Sequence, residues 1–226
     1  MRFPACLAAL TACAFLAVPP AKAADSRTVE RGGVTLDFQD ASDAMDDAVA
    51  DRMVETFFAV YGRMSARFNP DASRQVTFIV DPALGGIAGA DGATVYFNPA
   101  YFAEHPQDTD VVVHEAMHVV QDYGQQPVPG WLVEGIADYV RHQYGVNDAV
   151  GGWKLREYSP DQGVEGGYRS TGRFLVWLEA HGHPGLIETL DRRARAGTYT
   201  EAVWAELTGQ TLAQLWAAYA ADPVIG

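Results

Sequence analysis

The segment VVVHEAMHVVQ, Val111 to Gln121, constrains the fold of this chain more than any other. Two histidines, His114 and His118, lie four residues apart, so an α-helix would place both rings on one face, within reach of a single cation. Glu115 would lie on the flank of that face, where its carboxylate can reach a water molecule on the cation. This H-E-x-x-H spacing is typical of zinc-binding helices in peptidases. The alternative is an amphipathic helix with two unrelated histidines, but the flanking valines predict burial, and buried polar groups need partners.

A zinc site of this kind needs a third protein ligand and an open position for water. The next predicted helix, WLVEGIADYVR, carries Glu134 and Asp138 four residues apart, and therefore on one face. A histidine from later in the chain is the other option, but His142, His181 and His183 lie in contexts typical of exposed helix or loop residues. The residues alone leave both acidic groups open as the third ligand.

Hydrophobic periodicity predicts a few strands followed by many helices. The predicted strands are a hairpin over 28–38 and single strands over 75–81 and 93–99. The predicted helices are 44–68, 108–123, 131–144, 168–180, 184–196, 200–207 and 211–221, with a glycine-rich bend over 85–92 and a surface loop over 151–167. Asp108 or Asp110 is the expected N-cap of the histidine helix. The order predicts an α+β fold with a small N-terminal sheet and a mostly helical C-terminal part, in one domain over 24–226.

The first 23 residues are typical of a secretory signal, with Arg2 near the start, an apolar run, and small residues before cleavage after Ala23. The rival interpretation is lipidation at Cys13 within the segment LTAC, which would tether the chain to a membrane. Cys6 also lies in the signal, so the mature chain would contain no cysteine and no disulfide. We therefore expect a secreted or periplasmic protein, with no membrane association of the mature form unless Cys13 is lipidated.

The charge balance argues against two classes of partner. The formal net charge is −13, and removal of Arg2 and Lys22 with the signal would take it to −15. A strongly acidic surface is unfavourable for binding nucleic acid or an anionic membrane. The charge says little about the substrate; the zinc-peptidase interpretation is what implies a peptide or protein substrate.

The pair of segments HEAMHVVQ and WLVEGIADYVR resembles the basic secretory protein family, exported proteins grouped with the gluzincin metallopeptidases. DQGVEGGYRSTGRFLVWLE and LTGQTLAQLWAAY are similar to that family's later segments, so the resemblance spans roughly Val29 to Tyr219. It implies a zincin-like fold and a zinc ion held by His114, His118 and Glu134. It also implies that Asp138 accepts a hydrogen bond from the other ring nitrogen of His114.

The resemblance further implies that Glu115 is the general base and that Tyr168 donates a hydrogen bond to the oxyanion. Tyr158 and Tyr123 are weaker choices, and Tyr168 fits a packing or surface role equally well. The chain departs from the family in two ways. It is acidic rather than basic, and the spacing from His118 to Glu134 is shorter than in large gluzincins, whose spacing would fall nearer Asp138.

Three functions follow from these residues. The favoured one is an exported zinc-dependent peptidase, because a purely structural zinc site has no need of a general base such as Glu115. The second is a non-catalytic extracytoplasmic binding protein stabilised by zinc, and the third is a helical interaction domain without metal. For the peptidase, strand 93–99 is expected to be an edge strand that pairs with an extended substrate. The glycines that precede it, over 85–92, fit a plain hairpin turn equally well.

Overall fold

The structure is a computed structural model that describes residues 25–225. The predicted signal over 1–23, with Cys6 and the alternative lipidation at Cys13, lies outside these described residues. Within 25–225, no helix is both long enough and apolar enough to cross a membrane.

Within the described residues, one mixed sheet contains five strands in the spatial order β1-β2-β3-β5-β4. The strands are β1 (Asp25–Arg31), β2 (Val34–Asp40), β3 (Gln75–Val80), β4 (Ala88–Asp91) and β5 (Thr94–Phe97). β1 and β2 form an antiparallel hairpin, β2–β3 and β3–β5 are parallel, and β4 pairs antiparallel with β5. The tight turn between β4 and β5 uses Gly92 with a φ of 55°, a conformation that glycine adopts without strain.

Nine α-helices in the described part of the chain surround or follow the sheet. They are α1 (Asp47–Phe68), α2 (Pro99–Glu104), α3 (Val111–Gln121), α4 (Gly130–Tyr144), α5 (Asp148–Gly151), α6 (Tyr168–Ala180), α7 (Leu186–Arg195), α8 (Ala202–Thr208) and α9 (Leu212–Ala221), with a 3-10 turn at Val164–Gly166. The start of α1 follows from local chemistry: the Asp46 carboxylate accepts hydrogen bonds from the backbone N–H groups of Ala48 and Val49.

The histidine helix α3 lies at the centre of the packing. It contacts α1 on one side, α4 on another, and strands β4 and β5 of the sheet. An edge-to-face series of buried rings joins α1 to the sheet, with centroid distances of 5.3 Å from Phe57 to Phe78, 5.0 Å from Phe78 to Phe97, and 5.9 Å from Phe97 to Phe102. Ten of the eleven α3 residues are buried, so tertiary contacts hold this helix in position on nearly every side.

Helices α4 and α6 approach each other through glycines. A Cβ atom on Gly135 would lie 2.2 Å from Thr171 Cγ2, and one on Gly172 would lie 3.1 Å from Asp138 Cβ and from the backbone nitrogen of Tyr139. Because neither position has room for a side chain, the two helix backbones pack closely. This packing brings the first residues of α6 beside the face of α4 that carries the acidic side chains.

The predicted α+β class, with a small N-terminal sheet and a mostly helical remainder, is confirmed. The expectation that strand 93–99 is an edge strand is wrong, because β4 forms within the predicted glycine-rich bend and pairs with β5, so that β4 becomes the edge. Asp110 occupies the N-cap position of α3, but its side chain makes no capping bond and accepts from Asn147 instead.

Candidate active site

The helix α3 brings the two histidine rings together, as the four-residue spacing predicts. The ring centroids of His114 and His118 are 4.9 Å apart with planes at 80°, and their Nε2 atoms are 3.2 Å apart. Asp122, with a left-handed φ of 43°, ends α3 one turn after His118. The Nε2 atoms of both rings therefore point to the same place beside α3.

Helix α4 supplies the acidic groups. Glu134 Oε2 lies 3.1 Å from His114 Nε2 and 3.6 Å from His118 Nε2. Potential ligand atoms of His114, His118 and Glu134 all lie within 4.8 Å of one another, and no other such group of histidine, cysteine or acidic residues occurs among the described residues. Asp138, one turn further along, is directed at the other side of the His114 ring, with Oδ1 2.6 Å from Nδ1.

The hydrogen bonds at the Nδ1 atoms of the two histidines decide which ring nitrogen carries the lone pair. The Asp138 carboxylate accepts from His114 Nδ1, so the Nε2 atom of the neutral His114 ring carries the lone pair. On the other ring, His118 Nδ1 lies 2.7 Å from Gln121 Oε1. With both rings neutral, two imidazole lone pairs and the Glu134 carboxylate oxygen converge without a hydrogen between them, as they would around a bound cation. Two nitrogen ligands and one carboxylate oxygen are a donor set that zinc accepts.

Electrostatics inside the cluster favour a positive charge. Burial alone would lower the pKa of His114, but hydrogen bonds with Asp138 and Glu134 outweigh it and raise this pKa to about 10. Burial would raise the pKa of Glu134, but hydrogen bonds with His114 and His118 outweigh it and lower this pKa to about 2. The same charges that stabilise a proton here suit a divalent cation.

Glu115 is 7% exposed. Burial raises the pKa of its carboxyl group, while the nearby rings of His114 and His118 act in the opposite direction. A carboxylate with a raised pKa is a better proton acceptor near neutral pH and can later return the proton.

Of the three candidate tyrosines, Tyr168 is the one beside the histidines. Its ring lies 6.1 Å from the His114 ring with planes at 10°, and the residue is 58% exposed. Its backbone φ is 46°, an unfavourable left-handed conformation for a tyrosine that begins a helix after Gly167. Tyr123 instead donates to the buried Asp191 at 2.9 Å, and Tyr158 packs against Tyr219.

The later histidines lie elsewhere. His181 stacks on Trp177 with a centroid distance of 4.3 Å, and its Nδ1 lies 2.8 Å from the carbonyl oxygen of Trp177. Neither it nor His142 or His183 belongs to the convergent group. Sequence reasoning missed Gln121, which touches His118; the signal was its place three residues after His118, on the same side of α3.

Solved structures with a similar fold include zinc metallopeptidases. One is a mutant M1 zinc metallopeptidase from Deinococcus radiodurans bound to a Tyr-Ser-Ala substrate, with a TM-score of 0.51, 14% identity, and coverage of 87% of this chain and 52% of that chain. Another is a mutant two-domain M1 zinc metallopeptidase bound to L-tryptophan, with a TM-score of 0.50, 14% identity, and coverage of 87% and 51%. The likeness concerns the fold, and this chain spans about half the length of those structures.

The family is shown by a match over residues 21–219 to BSP, described as "Peptidase of plants and bacteria". The chain belongs to this peptidase family. A comparison with curated proteins gave no match.

Proposed function

We propose that this protein is an exported zinc-dependent peptidase in which His114, His118 and Glu134 hold the zinc ion. The observation that carries this proposal is the convergence of two imidazole nitrogens and a carboxylate oxygen within 4.8 Å, beside the buried Glu115. Membership of a peptidase family and a metallopeptidase-like fold support it. When bound, zinc would polarise the scissile carbonyl and lower the pKa of a water molecule.

The residues of the chain would then share the remaining work. Glu115 accepts the proton of the attacking water and passes it to the leaving amine. Tyr168, exposed beside His114, donates a hydrogen bond to the oxyanion that develops on the substrate. The Asp138 carboxylate accepts a hydrogen bond from Nδ1–H of His114. This bond would fix the ring so that the lone pair on its Nε2 atom is available to the zinc ion.

The substrate would lie along β4 rather than along the strand expected from sequence. β4 is the edge of the sheet, and it packs against α3, which carries the histidines. Its residues, Ala88–Asp91, have short side chains, so a peptide backbone can approach its unpaired edge and add a strand. Export would be accompanied by cleavage after Ala23, so N-terminal sequencing of the exported protein should find Ala24 first. A lipidated Cys13 as the first residue would instead support the lipoprotein alternative.

The decisive experiment compares peptide or casein hydrolysis by the wild type and Glu115→Gln, with and without a chelator. We expect Glu115→Gln to lower the rate by about 10²- to 10⁴-fold while zinc content stays equal to that of the wild type. The matched control is Glu104→Gln, at an exposed position of α2, which should keep full activity.

Two results would contradict the proposal. Hydrolysis that persists after zinc is removed would exclude a zinc-dependent reaction. A wild type that binds zinc, shows no hydrolysis, and is merely stabilised by the metal would instead support the alternative of a non-catalytic, zinc-stabilised extracytoplasmic binding protein.

A further inference from the structure

Gln121 is the last residue of α3 and is 1% exposed. Its side-chain amide lies between His118 and the backbone of α4: Oε1 is 2.7 Å from His118 Nδ1, and Nε2 is 2.9 Å from the carbonyl oxygen of Val133. Val133 directly precedes Glu134. One amide therefore touches the second histidine and the backbone that carries the proposed carboxylate ligand.

We propose that Gln121 is a positioning residue, which holds His118 in the tautomer whose Nε2 lone pair faces the metal and which fixes α3 against α4 at the proposed ligands. The proposal rests on the proposed zinc site.

The orientation of the amide follows from its two partners. A backbone carbonyl oxygen can only accept, so the NH₂ group of Gln121 must face Val133 and its oxygen must face His118. An amide oxygen also only accepts, so the neutral His118 ring must carry its hydrogen on Nδ1. With Gln121 in this orientation, Nε2 of His118 is left with the lone pair that a metal needs.

The backbone beneath Gln121 is held by side chains from two other helices. Arg195 of α7 donates to the carbonyl oxygen of Gln121 at 3.2 Å, and Asn69, just after α1, donates to that of Val120 at 2.9 Å. These bonds satisfy carbonyl groups that the end of α3 leaves without helical partners. Because the last turn is fixed, the direction of the Gln121 side chain is fixed as well.

Charge explains why a neutral amide suits this position. Glu134 and Asp138 supply two negative charges in contact with the histidines, and the buried Glu115 lies beside them. A glutamate at position 121 would add a further negative charge to this group and would put a carboxylate against the carbonyl oxygen of Val133. The amide supplies an acceptor for His118 and a donor for α4 without a net charge.

The test uses two variants that separate hydrogen bonding from packing. Gln121→Met has similar length but keeps neither hydrogen bond, whereas Gln121→Glu keeps an acceptor for His118 Nδ1–H and loses the donor to Val133. We expect zinc affinity, measured by competition with a chelator, to fall by about 10- to 100-fold in Gln121→Met and by less in Gln121→Glu. A pure packing role predicts the opposite order, because only the glutamate would bury a charge.

The second readout needs no zinc. At a pH where the His118 ring is neutral, side-chain ¹⁵N NMR of the metal-free protein should show its hydrogen on Nδ1 in the wild type and in Gln121→Glu, and a mixture of tautomers in Gln121→Met. The exposed Gln125→Met is the matched control and should match the wild type in both measurements.

The outcomes separate this proposal from the function on which it rests. If the wild type binds no zinc, the proposed function fails. If the wild type binds zinc but Gln121→Met keeps both the affinity and the tautomer, the positioning role alone is overturned. Should Gln121→Met fail to fold, the wild-type spectrum still decides, because a hydrogen on Nε2 of metal-free, neutral His118 contradicts the role.

Discussion

Two buried polar clusters lie between α3 and α4, and they differ in how their hydrogen bonds balance. We call them the metal cluster (His114, His118, Gln121, Glu134, Asp138) and the aspartate cluster (Asp108, Asp110, Arg141, Asn147, Asp148). Both are rich in carboxylates and largely buried. Of the two, only the metal cluster directs two imidazole nitrogens and a carboxylate oxygen at one another, so that three lone pairs converge when both rings are neutral.

In the aspartate cluster the carboxylates face donors. Arg141 forms ion pairs with Asp108 and Asp148, the Tyr101 hydroxyl donates to Asp108 at 2.5 Å, and Asn147 donates to Asp110 through its backbone and its side chain. Carboxylates that are already paired have no need of a cation. The comparison teaches that the number of acidic groups does not define a metal site; the balance of donors and acceptors does.

The largest expected effect is the loss of the proposed third ligand. Glu134→Ala should abolish tight zinc binding, because two histidines alone leave the ion without a carboxylate and with too few protein ligands. Zinc content after dialysis is the measurement, with the exposed Glu104→Ala as control. If Glu134→Ala only weakened binding while Asp138→Ala abolished it, the roles of the two acidic residues would be exchanged.

The next largest effect is a loss of stability when the cation of the aspartate cluster is removed. Arg141 is 4% exposed and is the cation between two aspartates, so Arg141→Met would leave buried negative charge uncompensated. We expect the free energy of unfolding to fall by about 3–5 kcal/mol in denaturant titrations. The exposed Arg192→Met should change it by under about 0.5 kcal/mol. A loss below about 1 kcal/mol for Arg141→Met would show that the cluster is hydrated or already neutral.

A smaller change should follow in the metal cluster when its outer carboxylate is removed. Asp138→Ala leaves the three proposed ligands in place but frees the His114 ring, so zinc affinity should fall by about 10- to 100-fold. The same substitution in the other cluster, Asp108→Ala, should leave zinc affinity at the wild-type value in folded protein. Equal losses from both substitutions would contradict the distinction between the clusters.

The last prediction concerns a pH dependence in the aspartate cluster. Burial and the nearby Asp110 and Asp108 raise the pKa of Asp148 to about 7, from an ordinary 3.8, despite the opposing ion pair with Arg141. The folded state therefore binds this proton more tightly than the unfolded state, and the contribution of Asp148 to stability falls as pH rises from about 4 to 7.

Asp148→Asn cannot ionise, so it should remove a slope of up to about 1.4 kcal/mol per pH unit over that range. Relative to the wild type, the variant should gain stability as pH increases. The measurement is the free energy of unfolding at several pH values; parallel curves for the two proteins would show that the Asp148 proton does not contribute.

Much of the fold was predictable because the patterns are local. The long helix α1, the histidine helix and the β-branched strand β3 follow from hydrophobic spacing, with errors of a few residues at their ends. The four-residue spacings also predicted that His114 and His118 share one face and that Glu134 and Asp138 share another. β4 was missed because AGAD has little strand propensity of its own, and pairing with β5 is what makes it a strand.

The sequence by itself determined which side chains each helix presents together, since helical periodicity is a property of neighbouring residues. Only the tertiary structure decided how the two helices meet: Glu134 within reach of both Nε2 atoms, Asp138 behind His114, and Gln121 bonded to the backbone of α4 at Val133. The physical reason is that these contacts join residues on different helices. Their distances depend on packing at Gly135, Gly172 and the fixed end of α3, which local spacing does not encode.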